Sequence, residues 1–191
     1  MSDQVNDREL FSLKKKVASY KEVVSNTRTY RGAWDTTLKG KIEDSLKRFA
    51  KGAGLQAKIE EVGDVENLSA VVLSLGQVKS GIYEEVNDAI KRHLIKHNGS
   101  LIYQQLFNGK VIVMIQYPFI ENIGQPRPPK TIGIYRPEEL KEPFLLRHLE
   151  EFITEITNWE DFDDDEPNQR IGFNLNFPQH ELATGDEETL K

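Results

Sequence analysis

His93 and His97 stand four residues apart, a spacing that on a helix offers two imidazoles to one metal ion. A zinc-protease arrangement needs glutamate directly after the first histidine, and here that residue is Leu94. Both histidines fall on or beside an apolar helical stripe, so they read as partly buried or helix-terminal side chains, whose positive form suits the C-terminal dipole. Asp161, Asp163 and Asp165 alternate like the start of a calcium loop. The sixth-position glycine is replaced by Glu166, Pro167 follows, and Gly172 stands where the twelfth-position glutamate belongs. That run reads as a solvated acidic linker.

Other chemistries lack their signatures. There is no glycine-rich phosphate loop ending in Lys-Ser/Thr, no Rossmann glycine pattern and no Gly-x-Ser-x-Gly elbow. With no cysteine, disulfides, thiolate metal sites and a cysteine nucleophile are all excluded. No catalytic residue, metal or cofactor is therefore assigned. The rival reading is a small-molecule binder or an enzyme of unfamiliar type, with His93, His97 or Tyr103 in a cleft beside a sheet.

Binding features are more numerous. Pro126-Arg-Pro-Pro129 meets the minimal PxxP pattern, but such short matches arise often by chance and a rigid loop is the favoured reading. Lys14, Lys15, Lys16, Lys39, Lys41, Lys47, Arg48 and Lys51 lie near Tyr20, Tyr30 and Trp34, a mixture that nucleic-acid surfaces use. Glu22, Glu43 and Asp44 interrupt that positive field. The net charge of -6 also argues against a nucleic-acid partner, because such binding depends on neutralising phosphates. Charge is unevenly spread: residues 1–58 hold 13 Lys/Arg against 7 Asp/Glu, and residues 159–191 hold 2 against 10. The two ends are suited to attract each other, within a molecule or between subunits.

The elements that must position these groups follow from periodicity. Leu10, Leu13, Val17, Tyr20, Val24 and Thr27 line one face of a helix over 7–29. Leu38, Ile42, Leu46 and Phe49 line a second over 35–51, capped by Asp35 and ended by Gly52 and Gly54. The short Arg31-Gly-Ala-Trp34 link predicts an antiparallel helical hairpin. Strands are expected over 55–62 and 68–75. A helix is expected over 82–98, from Ile82, Val86, Ala89, Ile90, His93, Leu94 and His97.

Asn108-Gly109, between two β-rich runs, is a strong hairpin signal. A two-residue turn there sets Leu106 opposite Val111, Gln104 opposite Val113 and Ile102 opposite Ile115. The other face then holds Phe107, Tyr103, Ile112 and Met114. Val111–Ile115 is apolar on both faces, so this strand should be covered on both sides: once by a helix, once by the helical hairpin or another subunit. Thr131–Tyr135 reads as a short edge strand. Pro143 starts a helix whose buried stripe is Leu145, Leu149, Phe152, Ile156 and Trp159. Ile171, Phe173, Leu175 and Phe177 alternate with Gly172, Asn174 and Asn176, a strand that needs a cover. It suits an extra strand of this sheet, a strand added to a second subunit, or a docking peptide.

The expected fold class is α+β: an antiparallel sheet of five to six strands with a central helix, an N-terminal helical hairpin and a long C-terminal helix. Three parts are expected, a helical hairpin over 1–53, a core over 54–159, and an acidic linker with a terminal strand over 160–191. Over 35–159 this order of elements is similar in outline to the small dimeric chaperones of bacterial secretion systems, a likeness of element order with no shared motif. The expected function is a non-catalytic, self-associating protein-binding module, a chaperone-like adaptor or an inhibitor-like partner. Its partner-binding residues are Ile171, Phe173, Leu175, Phe177, Ile112 and Met114. The N-terminus opens without a basic start or apolar stretch, and no run approaches the roughly 20 apolar residues of a membrane span. A cytoplasmic location, a protein partner or homodimer, and no membrane are the remaining expectations.

Overall fold

The computed structural model describes residues 7–63, 68–87 and 90–161. Helix α1 (Asp7–Ala33), a π-helical turn (Trp34–Leu38) and helix α2 (Lys39–Ala53) follow one another without a break. Ala33 and Lys39 both keep right-handed helical angles, and the Lys39 N–H donates to the Trp34 carbonyl. The expected helical hairpin is therefore a single helical run. Nothing in Arg31-Gly-Ala-Trp34 forbids a helix: one glycine costs about 1 kcal/mol against alanine, and no proline intervenes. The wide turn buries both Trp34 and Leu38, and the Trp34 indole donates to Ser69 Oγ at 2.8 Å. Helix α2 ends where Gly54 takes a positive φ of 70° and its N–H reaches the Ala50 and Lys51 carbonyls.

The sheets are antiparallel throughout. Strands β1 (Lys58–Val62), β2 (Ala70–Ser74), β5 (Ser100–Gln105), β6 (Val111–Gln116) and β8 (Lys130–Tyr135) form one sheet in the order β1-β2-β5-β6-β8. Strands β3 (Gln77–Asn87), β4 (Ile90–His97) and β7 (Phe119–Ile120) form a second, in the order β3-β4-β7. The expected helix over 82–98 is thus a correction: residues 82–87 belong to β3 and 90–97 to β4, which pair antiparallel. The expected sheet of five to six strands is in part matched by the five-stranded sheet; among the described residues a second, three-stranded sheet brings the strands to eight.

This β3–β4 arm continues the β2–β5 ladder. Leu75 N–H donates to the Gly99 carbonyl at 3.2 Å, and Asn98 N–H to the Gly76 carbonyl at 3.0 Å. Gly76 and Gly99 have φ of 78° and 95°, so the ribbon bends where only glycine is unstrained. With the central helix gone, the likeness in element order to secretion chaperones loses its basis.

The Asn108-Gly109 hairpin is present, but one residue out of the expected register. Leu106 N–H donates to the Lys110 carbonyl at 2.8 Å, closing a three-residue loop in which Gly109 alone has positive φ. Gln105 therefore faces Val111, Tyr103 faces Val113 and Leu101 faces Ile115. A one-residue slip moves a whole strand's side chains to the other face. Tyr103 accordingly lies in the core, not beside Ile112 and Met114, and Phe107 is exposed in the turn.

Helix α3 (Glu142–Glu160) begins with Pro143 in its first turn and buries Leu145, His148, Leu149, Phe152 and Ile156. The core is one cluster: Trp34, Leu38, Ile42 and Leu46 from the first helices, Val71, Leu73, Leu101, Tyr103, Val111, Val113 and Ile115 from the sheet, and the α3 stripe. Both α2 and α3 thus pack on the same face of the five-stranded sheet.

Candidate interaction surface

The polar constellations come first, because they would carry any chemistry. His93 and His97 sit on strand β4, not on a helix, so four residues place them about 13 Å apart along one face. Each meets a different partner. His93 packs against the Tyr83 ring at 4.1 Å, and His97 stacks on Phe119 at 4.3 Å with Nε2 3.4 Å from Glu121. Among the described residues no group of three His, Cys, Asp or Glu side chains could hold a metal. Asp161 follows α3 and its N–H donates to the Thr157 carbonyl, while Asp163 and Asp165 lie outside the described residues.

A histidine that the sequence reading passed over, His148, is buried on α3. His148 Nδ1 is hydrogen-bonded to the Tyr103 hydroxyl at 3.2 Å and Nε2 to the Tyr135 hydroxyl at 3.2 Å. Burial holds the His148 pKa below its ordinary value and pushes the Tyr103 hydroxyl up. Its signal was its place in the α3 stripe, three residues after Leu145 and four before Phe152. With both nitrogens engaged in a packed interior, the trio ties α3 to β5 and β8.

Nearby, Lys130 Nζ donates to Glu151 at 2.9 Å and Glu155 at 2.8 Å, and the Tyr117 hydroxyl donates to Glu155 at 2.7 Å. The Lys130 hydrogen bond, above all, holds the Glu155 carboxyl below the usual range, and the same bond raises the Lys130 pKa. These are ion pairs that fasten a sheet edge to a helix. An open groove of 530 Å³ lies elsewhere, along Thr37, Gly40, Lys41, Asp44, Ser45, Arg48 and Glu142. It is lined by α2 and the start of α3 and brings together none of His93, His97 or Tyr103.

The apolar constellation is of another kind. Strand alternation and register place Val72, Ile102, Met114 and Thr131 in one cross-strand row, on the face opposite the core. The adjacent row runs Val62, Ala70, Gln104, Ile112 and Ile134. Val111, Val113 and Ile115 of β6 are wholly buried, whereas Ile112 and Met114 between them are only partly so. Val62 and Ile134, at the margins, are 50% and 54% exposed. Val72, Ile102, Met114, Ile112 and Ile134 neither belong to the buried cluster nor pack against it.

The structure therefore brings Ile112 and Met114 together with Val72, Ile102 and Ile134, which the sequence reading did not assign to a site. The missing signal was the register: Ile102 joins Met114 only when the turn holds three residues. Ile171, Phe173, Leu175 and Phe177 lie outside the described residues.

Helix α1 presents a second uncovered surface. Leu13, Val17, Tyr20 and Val24 are 40–68% exposed. Near its end α1 meets the turn between β5 and β6. There a Cβ on Gly109 would come within 2.7 Å of Tyr30, and the Arg31 guanidinium donates to the Phe107 carbonyl. No helix among the described residues is long and apolar enough to cross a membrane. In comparisons with known proteins, the chain matches no family model, no curated sequence and no solved structure.

Proposed function

We propose that this chain is a non-catalytic protein-binding module that self-associates through the outer face of its five-stranded sheet, acting as a chaperone-like adaptor or an inhibitor-like partner. One observation carries the reading: a contiguous apolar patch across β2, β5, β6 and β8, on the face that α2 and α3 leave free. Covering such a side chain fully is worth about 1.5–3 kcal/mol relative to water, a strong driving force for association. Apolar surface of this kind, bordered by Glu60 and interrupted by Gln104 in one row, marks contact sites on proteins in general. The polar clusters support the same reading, since His148, Tyr103, Lys130 and Glu155 are engaged in holding the fold together.

Sedimentation equilibrium on the full chain over a hundredfold range of concentration tests the proposal. A mass that rises toward the dimer, and a shift of that rise to higher concentration in Met114→Lys, is the expected result. A mass that stays at one chain throughout would remove self-association. A Met114→Lys curve identical to that of the unaltered chain would move the contact off this face.

A further inference from the structure

We infer that the open edge of β8 is the docking site for this chain's own segment Ile171–Phe177, added as a sixth strand of the five-stranded sheet. The two edges of that sheet differ sharply. Strand β1 carries Lys58, Glu60 and Glu61, with Lys58 paired to Glu60 at 2.6 Å and Lys39 to Glu61 at 2.5 Å. Charges of this kind blunt an edge against further pairing. Strand β8, by contrast, reads Lys-Thr-Ile-Gly-Ile-Tyr, with no charged side chain after Lys130. Its only ladder partner among the described residues is β6.

Chain geometry favours the segment as occupant. Lys130, the first residue of β8, is ion-paired to Glu151 and Glu155 of α3. Glu160 ends α3 five to nine residues later, about 8–14 Å of helix. The chain therefore leaves α3 close to where β8 begins. From Asp161 to Arg170 it can span up to about 33–36 Å, ample to reach the edge. The segment has a length to match the six residues of β8, and Pro178 follows it where a ladder should stop.

Charge points the same way. Arg127 and Arg136 flank β8 in the chain, while residues 160–170 hold six acidic side chains against Arg170. Paired to β8, the side chains of Ile171, Phe173, Leu175 and Phe177 all point to one side of the sheet. Set beside Ile134, they extend the apolar row of Ile112 and Ile134, and backbone hydrogen bonds supply the rest of the contact. The inference stands apart from self-association, because it concerns an edge and a segment of one molecule.

Hydrogen–deuterium exchange on the full-length chain and on its Phe173→Asp/Leu175→Asp variant tests it. Amides of Thr131–Tyr135 that point away from β6 should exchange about tenfold or more slowly in the unaltered chain than in the variant, independent of protein concentration. Amides of β1 should exchange alike in both, and those of β5 should stay protected in both, showing that the fold survives the substitutions. Equal β8 rates in the two chains would overturn the docking. Protection that appears only as concentration rises would assign the edge to a second copy and overturn the intramolecular contact.

Discussion

The two faces of strand β6 are made of the same kinds of residue and meet opposite fates. Val111, Val113 and Ile115 point toward α2 and α3 and are wholly buried, while Ile112 and Met114 point away and are only partly so. Alternation along a strand assigns them to different sides, and among the described residues α2 and α3 pack on one of them. The contrast separates two meanings of an apolar residue in a central strand. On the inner face it reports a core; on the outer face it reports surface that gains stability only when something else is laid on it.

Changes to the inner face should have the largest effect. Phe152→Ala removes a wholly buried ring from the centre of the cluster and should lower unfolding free energy by about 3–5 kcal/mol in urea titrations. Next is Gly99→Val. A Cβ there would meet Ile156 Cδ1 at 2.7 Å and the Gln116 carbonyl at 3.0 Å, at a φ of 95°. A cost of about 1–3 kcal/mol is expected from backbone strain, read by the same titration.

A smaller effect is expected from pH. Burial places the His148 pKa below its ordinary 6.5, so the folded state favours the neutral ring. That stabilisation is complete above pH 6.5 and is lost as pH falls from there through the folded value. Glu155, held low chiefly by the Lys130 hydrogen bond, adds stability that is present above its ordinary 4.5 and is lost as pH falls through its own folded value. The urea midpoint should therefore fall in two stages on acidification, and His148→Gln should flatten the upper one. The smallest effect on folding belongs to the outer face. Met114→Lys should change single-chain stability by no more than about 0.5 kcal/mol, while weakening association about tenfold or more.

How far the sequence revealed this arrangement depends on where local and distant forces agree. The α3 stripe Leu145, Leu149, Phe152 and Ile156 was legible because periodicity, a proline start and burial all coincide. The β8 edge strand and the β5–β6 hairpin were legible for the same reason. Residues 82–98 misled because Ile82, Ile90, Leu94 and His97 fit a helical period by chance. The alternative, a ribbon hung on the β2–β5 ladder, depends on Gly76 and Gly99 meeting across two strands, which no local pattern records.

The turn misled by a single residue. Asn108 does not take positive φ; its side chain accepts from the Lys110 N–H at 3.1 Å, and the loop gains Phe107. That slip moved Ile102 from Ile115 to Met114 and Tyr103 from Met114 to Val113, so Ile102 joined the outer patch and Tyr103 the core. Gly32 looked like a break between helices, yet its carbonyl accepts the Thr36 hydroxyl at 2.8 Å within an unbroken helical run.

The difference between the two faces can be read chemically at Met114 itself. Peroxide oxidation of this thioether, timed against free methionine in the same tube, reports directly whether the outer face is covered. The account predicts that Met114 oxidises readily in dilute protein and ever more slowly as the chain is concentrated. An oxidation rate that does not change across the same range of concentration would contradict it.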